Sequence, residues 1–97
     1  MIKMTITKEM KMVVVIKKDT YLIDSCVDSP GVLEGSVQIE NMYGLKKDGF
    51  NYILSTLTNG TYRLYSRKKK KLYLHGKRSA LKFLPIAIGS AKTNTVH

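Results

Sequence analysis

The sequence predicts a mainly β fold: a small antiparallel meander of about six or seven strands, barrel- or sandwich-like, with at most one short C-terminal helix. Three observations carry this. Apolar and polar residues alternate along most segments. β-Branched and aromatic residues crowd the same segments. Asn59-Gly60, a favoured pair for a two-residue hairpin turn, separates two alternating runs.

Residues 2–7 place Ile2, Met4 and Ile6 on one side of a first strand, and Lys8-Glu9 connects onward. Residues 10–17 put Met10, Met12, Val14 and Ile16 on one face and Val13 and Val15 on the other, the pattern of a strand covered on both sides. The valine triplet disfavours a helix because branching at Cβ restricts χ1 there. Lys18-Asp19 marks a turn and residues 20–26 another strand. Segment 27–36, with Ser29-Pro30-Gly31 and Gly35, reads as a long acidic loop. Alternation resumes over 37–43, and Gly44 to Gly49 reads as a second loop.

The Asn59-Gly60 corner joins NYILSTLT to TYRLYSR, and a two-residue turn fixes register by counting outward. Thr58 then faces Thr61, Thr56 faces Arg63, Leu54 faces Tyr65 and Tyr52 faces Arg67. A second hairpin over Lys68, Lys69 and Lys70 sets Arg67 opposite Lys71, Tyr65 opposite Tyr73 and Arg63 opposite His75. One face of the three strands thus carries Tyr52, Leu54, Thr56, Arg63, Tyr65, Arg67, Lys71, Tyr73, His75 and Lys77. The other carries Ile53, Leu57, Tyr62, Leu64, Leu72 and Leu74, the better core. Beyond it, Ser79 suits the cap of a short helix over Ala80 to Leu84 that Pro85 stops. The same residues also read as an edge strand continuing through Ile86 and Ile88. The expected organisation is a single β-rich domain over 1–89 and a loose C-terminal tail over 90–97.

The net charge is +10, and its placement tells more than its size. Residues 19–48 carry six acids against Lys46 and Lys47, whereas residues 61–97 carry ten bases and no acid. The stretch 61–78 alone holds eight of the 17 Lys and Arg residues and three of the six Tyr. Charge of one sign concentrated this way repels itself, and a polyanion is the simplest partner to offset it. The acids 19–48 are expected to form a surface of opposite sign.

Guanidinium groups grip phosphate in pairs of hydrogen bonds, ammonium groups act as point charges, and tyrosine rings stack on unpaired bases. The candidate nucleic-acid-binding residues are therefore Arg63, Tyr65, Arg67, Lys68, Lys69, Lys70, Lys71, Tyr73, His75, Lys77 and Arg78. Tyr65 and Tyr73, as cross-strand neighbours, would form a stacking platform. Nothing in the chain reads as a recognition helix or zinc finger, so RNA is preferred over DNA.

Two other readings accompany this one. An Arg/Tyr face also suits an inhibitor or adaptor that occupies an acidic or nucleic-acid-binding surface of another protein, as a phage-type factor disabling a host enzyme or toxin would. A small ribonuclease could use His75 with its Arg and Lys neighbours for acid–base chemistry. The bland reading of the basic stretch is a solvated edge that protects the sheet from unwanted pairing. No cofactor and no metal site are expected: two His and one Cys are too scattered for zinc, and the glycines match no phosphate-binding loop. The lone Cys26 and the absence of a targeting signal or a long apolar run point to a reducing, cytoplasmic setting without membrane contact.

Overall fold

The computed structural model describes residues 9–88. Among these are eight strands: β1 (Glu9–Ile16), β2 (Asp19–Asp28), β3 (Leu33–Glu34), β4 (Val37–Lys47), β5 (Phe50–Leu57), β6 (Thr61–Ser66), β7 (Lys71–Lys77) and β8 (Lys82–Ile88). The mainly β expectation holds. The strand expected over 2–7 and the tail over 90–97 lie outside the described residues.

The strands form one antiparallel sheet in the order β7-β6-β5-β4-β2-β1-β8, with β3 added alongside β4. Strands β7 and β8 follow each other in the chain yet stand at opposite ends of that order. A single 3-10 turn, Arg78–Ala80, joins them. The sheet therefore curls until its two ends approach at this corner, a barrel-like curl of one sheet instead of a two-sheet sandwich. No ladder joins β7 to β8 among the described residues. Leu81, just past the turn, is buried with Val14, Ile16, Tyr21, Leu45, Leu54, Tyr62 and Leu64 in the core that the curl encloses. Phe83 on β8 reaches the Tyr43 ring on β4, with centroids 5.2 Å apart.

The helix expected over Ala80 to Leu84 is absent, and the edge-strand alternative describes these residues. Paired only with β1, β8 has one open side, where the missing N–H of Pro85 breaks no ladder. Val13 and Val14 of β1 are both buried, as a strand covered on both sides requires, although Met10 and Met12 are exposed.

Several connections differ from the sequence expectation. In the segment 27–36, β2 runs on to Asp28 and β3 occupies Leu33–Glu34. The β6–β7 tip begins at Arg67. The β1–β2 turn is Lys17-Lys18, one residue early, with Lys17 in the left-handed region at φ 59°. The segment 44–49 is not a loop: β4 runs through Gly44 to Lys47, and Lys47 pairs with Phe50. The two-residue turn with both φ positive is thus Asp48-Gly49, at 54° and 82°.

At Asn59-Gly60 only Gly60 has positive φ, 86°. The Gly60 N–H donates to the Leu57 carbonyl at 3.0 Å, while the Asn59 side chain accepts from the Thr61 N–H and Oγ1. Thr58, Asn59 and Gly60 make a three-residue loop. The added loop residue shifts register by one, so Ser55 pairs with Arg63, Leu54 with Leu64 and Ile53 with Tyr65.

Candidate nucleic-acid interface

The one-residue shift moves β5 and leaves β6 in its expected phase. Tyr62, Leu64 and Ser66 are buried, and Arg63 and Tyr65 between them are exposed, as alternation requires. On β5 the faces exchange. Tyr52, Leu54 and Thr56 join the core side, while Ile53, Ser55 and Leu57 back the arginine side. The expected rows Tyr52–Arg67–Lys71, Leu54–Tyr65–Tyr73 and Thr56–Arg63–His75 therefore do not form. The row that does form is Ser55–Arg63–His75, flanked by the pair Thr61–Lys77.

A bulge in β7 makes the second change. Leu74 pairs with Leu64 and Leu72 with Tyr65, leaving Tyr73 without a cross-strand partner. Leu72 takes the place beside Tyr65 that was expected for Tyr73. The Tyr73 ring lies instead on the other side of the sheet against Tyr52, with centroids 5.7 Å apart, and Tyr52 stands edge-on to buried Tyr21 at 5.2 Å. Lys71 pairs with Ser66, whose side chain is buried, so Lys71 also leaves the Arg63 face. The two-tyrosine platform is thereby corrected to one ring on the Arg63 face, Tyr65, while Tyr73 is exposed on the other side.

The tip between β6 and β7 is Arg67 to Lys70. Two hydrogen bonds and one backbone angle shape it. The Lys69 N–H donates to Ser66 Oγ at 3.2 Å, Lys70 turns the chain at φ 54°, and the Tyr65 hydroxyl donates to the Lys70 carbonyl at 3.2 Å. Lys68 Nζ lies 4.5 Å above the Phe50 ring, a cation–π contact from the β4–β5 corner. Phe50 is a neighbour of the candidate residues that sequence reasoning missed, because its place depends on the Asp48-Gly49 turn.

The acids do not form a separate surface. Glu34 Oε2 stands 3.8 Å from Arg63 Nη1, and Glu40 forms an ion pair with Arg78 beside the 3-10 turn. Two of the eleven candidate residues thus have a carboxylate neighbour. Arg78 is set apart further because its N–H donates to the Gly60 carbonyl at 2.8 Å, at the opposite end of the hairpin from the tip. Lys47, outside the candidate set, is held protonated above its ordinary range by its hydrogen bond to Asp48.

Beside the Arg63 file lies a shallow groove of about 260 Å³. Ile39, Met42, Ile53 and Ser55 line it from the sheet, Val32 and Glu34 from the segment around β3, and Arg63, Tyr65 and Leu72 from β6 and β7. The Ile39 N–H donates to the Val32 carbonyl at 2.9 Å, which ties that segment against β4. Among the described residues no group of three His, Cys, Asp or Glu side chains converges as a metal site would need. No helix among them is long and apolar enough to cross a membrane. Burial pushes the Cys26 thiol up from its ordinary value, and its hydrogen bond to Asp28 adds to that, so Cys26 is the opposite of an activated nucleophile.

Comparison of the chain with protein-family models, with curated proteins and with solved structures gives no match in any of the three.

Proposed function

We propose that this protein is a nucleic-acid-binding module that prefers RNA to DNA and binds without chemistry. The observation that carries the reading is the file Arg63, His75 and Lys77 on one exposed face, with Tyr65 on the same face and the basic tip Arg67 to Lys70 at its end. Phosphates follow the cations along the file, and an unpaired base stacks on Tyr65. Lys71 adds charge from the other side of the edge strand, and Tyr73 belongs to the packing. An exposed ring on the basic face suits strands whose base faces are free, which favours single-stranded or looped RNA over a duplex. His75 faces Arg63 across the ladder, an arrangement that serves to hold phosphate. The experiment is a gel-shift titration on single-stranded RNA, duplex RNA and duplex DNA. Single-stranded RNA is expected to bind first, and equal affinity for all three would remove the preference.

A second reading, an adaptor or inhibitor that binds another protein, is favoured by a different observation. The edge strand β8 leaves Phe83, Leu84 and Ile86 exposed, and such side chains suit a protein partner better than a polyanion. Pull-down before and after nuclease treatment separates the two. A partner that survives nuclease supports the adaptor, and one that disappears supports RNA binding.

A further inference from the structure

We propose that the groove beside Arg63 is a reading pocket for one unpaired guanine, with Glu34 accepting hydrogen bonds from the base. This rests on the RNA-binding reading and names its specificity. The groove is smaller than the roughly 300–1,000 Å³ of sites that enclose a whole metabolite, and its sheet side is apolar apart from Ser55. A flat ring fits that shape, and Tyr65 at its edge supplies an aromatic surface whose far end is fixed by the hydroxyl's bond to the Lys70 carbonyl. A ring held before the ligand arrives has less freedom to lose on binding.

Glu34 decides which base. It is an acid on a face whose other charges attract phosphate, so for backbone binding alone it works against affinity. Its partner Arg63 is 3.8 Å away, beyond hydrogen-bonding range, and both side chains are half-exposed, so the carboxylate keeps its acceptor capacity. An apolar side chain filling the groove would strip water from that carboxylate and return nothing. Guanine presents two adjacent donors, N1–H and the 2-amino group, which match the two carboxylate oxygens. Adenine and cytosine each set one amino group beside a ring acceptor that the carboxylate repels, and uracil has a single N–H between two carbonyls. Arg63 then remains free for the phosphate of the same nucleotide.

The test uses the full chain and fluorescent U-rich single-stranded RNAs that differ at one central nucleotide: guanosine, adenosine, cytidine or inosine, the last being guanosine without its 2-amino group. The guanosine probe is expected to bind on the order of tenfold tighter than the adenosine or cytidine probe, with inosine between. Glu34→Gln, which swaps an acceptor oxygen for a donor, should abolish the preference while leaving the adenosine probe bound as well or better. Glu34→Ala should repeat the loss without adding a donor. Equal wild-type affinity for all four probes leaves the groove to another occupant, such as a protein side chain, and overturns the proposal. A guanine preference that survives both Glu34 variants also overturns it. Binding to none of the probes removes the RNA-binding reading itself.

Discussion

Tyr65 and Tyr73 stand on opposite sides of the β6–β7 hairpin, although both are exposed to a similar extent. The β7 bulge puts Leu72 next to Tyr65 and turns the Tyr73 ring onto Tyr52, whose own ring rests on Tyr21. Two residues of one type thus have separate work, and their alanine variants should separate it. Tyr65→Ala removes the ring proposed to stack on a base and should weaken single-stranded RNA binding by about 1–3 kcal/mol, with little change in stability. Tyr73→Ala uncovers Tyr52 and should lower stability by about 1 kcal/mol, near the value of an aromatic pair, while RNA affinity hardly moves. Anisotropy titrations and urea melts on both variants check this. An equal loss of RNA affinity in the two would return Tyr73 to the binding surface.

The charged file predicts a salt dependence. If about five or six phosphates on a single strand are neutralised, log affinity should fall against log salt with a slope of roughly −4. Arg67→Ala should weaken binding to every sequence alike and flatten that slope by about 0.7, the share of one phosphate. Arg78→Ala should leave the slope unchanged, because Arg78 is engaged by Glu40 at the far end of the hairpin. Titrations at several salt concentrations give all three slopes, and a change for Arg78→Ala equal to that for Arg67→Ala would extend the surface to the 3-10 turn.

The alternation in Thr61–Ser66 was legible in the sequence because a period of two needs no knowledge of the partner strand. Which residues back that face was not, since it depends on the number of residues in a loop. The Thr58 N–H donates to the Gln38 carbonyl on β4, a contact 20 residues away in the chain, and this holds the loop in its three-residue form. Asp48-Gly49 carried the same turn chemistry and took the two-residue form, which a reading of 44–49 as a loop passed over. The placement of Glu34 beside Arg63 is a tertiary fact of the same kind. It requires β3 to fold back on β4, and nothing local in the segment 27–36 announces that.

The three-residue loop makes a prediction of its own. Gly60 sits at φ 86°, a conformation that costs little for glycine and strains any residue with a Cβ. A Cβ there meets no neighbour within 4 Å, so Gly60→Ala measures backbone strain without a steric clash. It should destabilise the protein by about 1 kcal/mol or more. Asn59→Ala should also destabilise it, by about 1 kcal/mol, through loss of the side-chain acceptor for the Thr61 N–H and hydroxyl. Urea melts provide both values. An Asn59→Ala variant as stable as the parent would show that the Thr61 donors are satisfied equally well by water.

Alkaline pH tests the packing of the tyrosines. Burial raises the phenols of Tyr21, Tyr43 and Tyr62 above the ordinary value of 10.0. Tyr21, almost wholly inaccessible to solvent, is raised furthest, with the charge of Asp19 adding to the effect of burial. The folded chain therefore keeps protons that the unfolded chain releases once pH passes about 10. Above that point the unfolded state binds fewer protons, so stability falls as pH rises, while below it the contribution of these phenols is intact. Lysines titrate in the same range, and their neutralisation relieves the repulsion of a +10 chain, so the raw pH dependence mixes two opposing effects. The comparison that isolates the phenol is Tyr21→Phe. It keeps the edge-on ring at Tyr52, shares every lysine and lacks the titrating group. The urea midpoint of the wild type should drop faster than that of Tyr21→Phe between pH 9 and 11.5, and the two should run parallel between pH 7 and 9. Parallel curves over the whole interval would mean that the Tyr21 hydroxyl reaches water, and with it that the curled sheet does not seal its core at the β2–β5 contact.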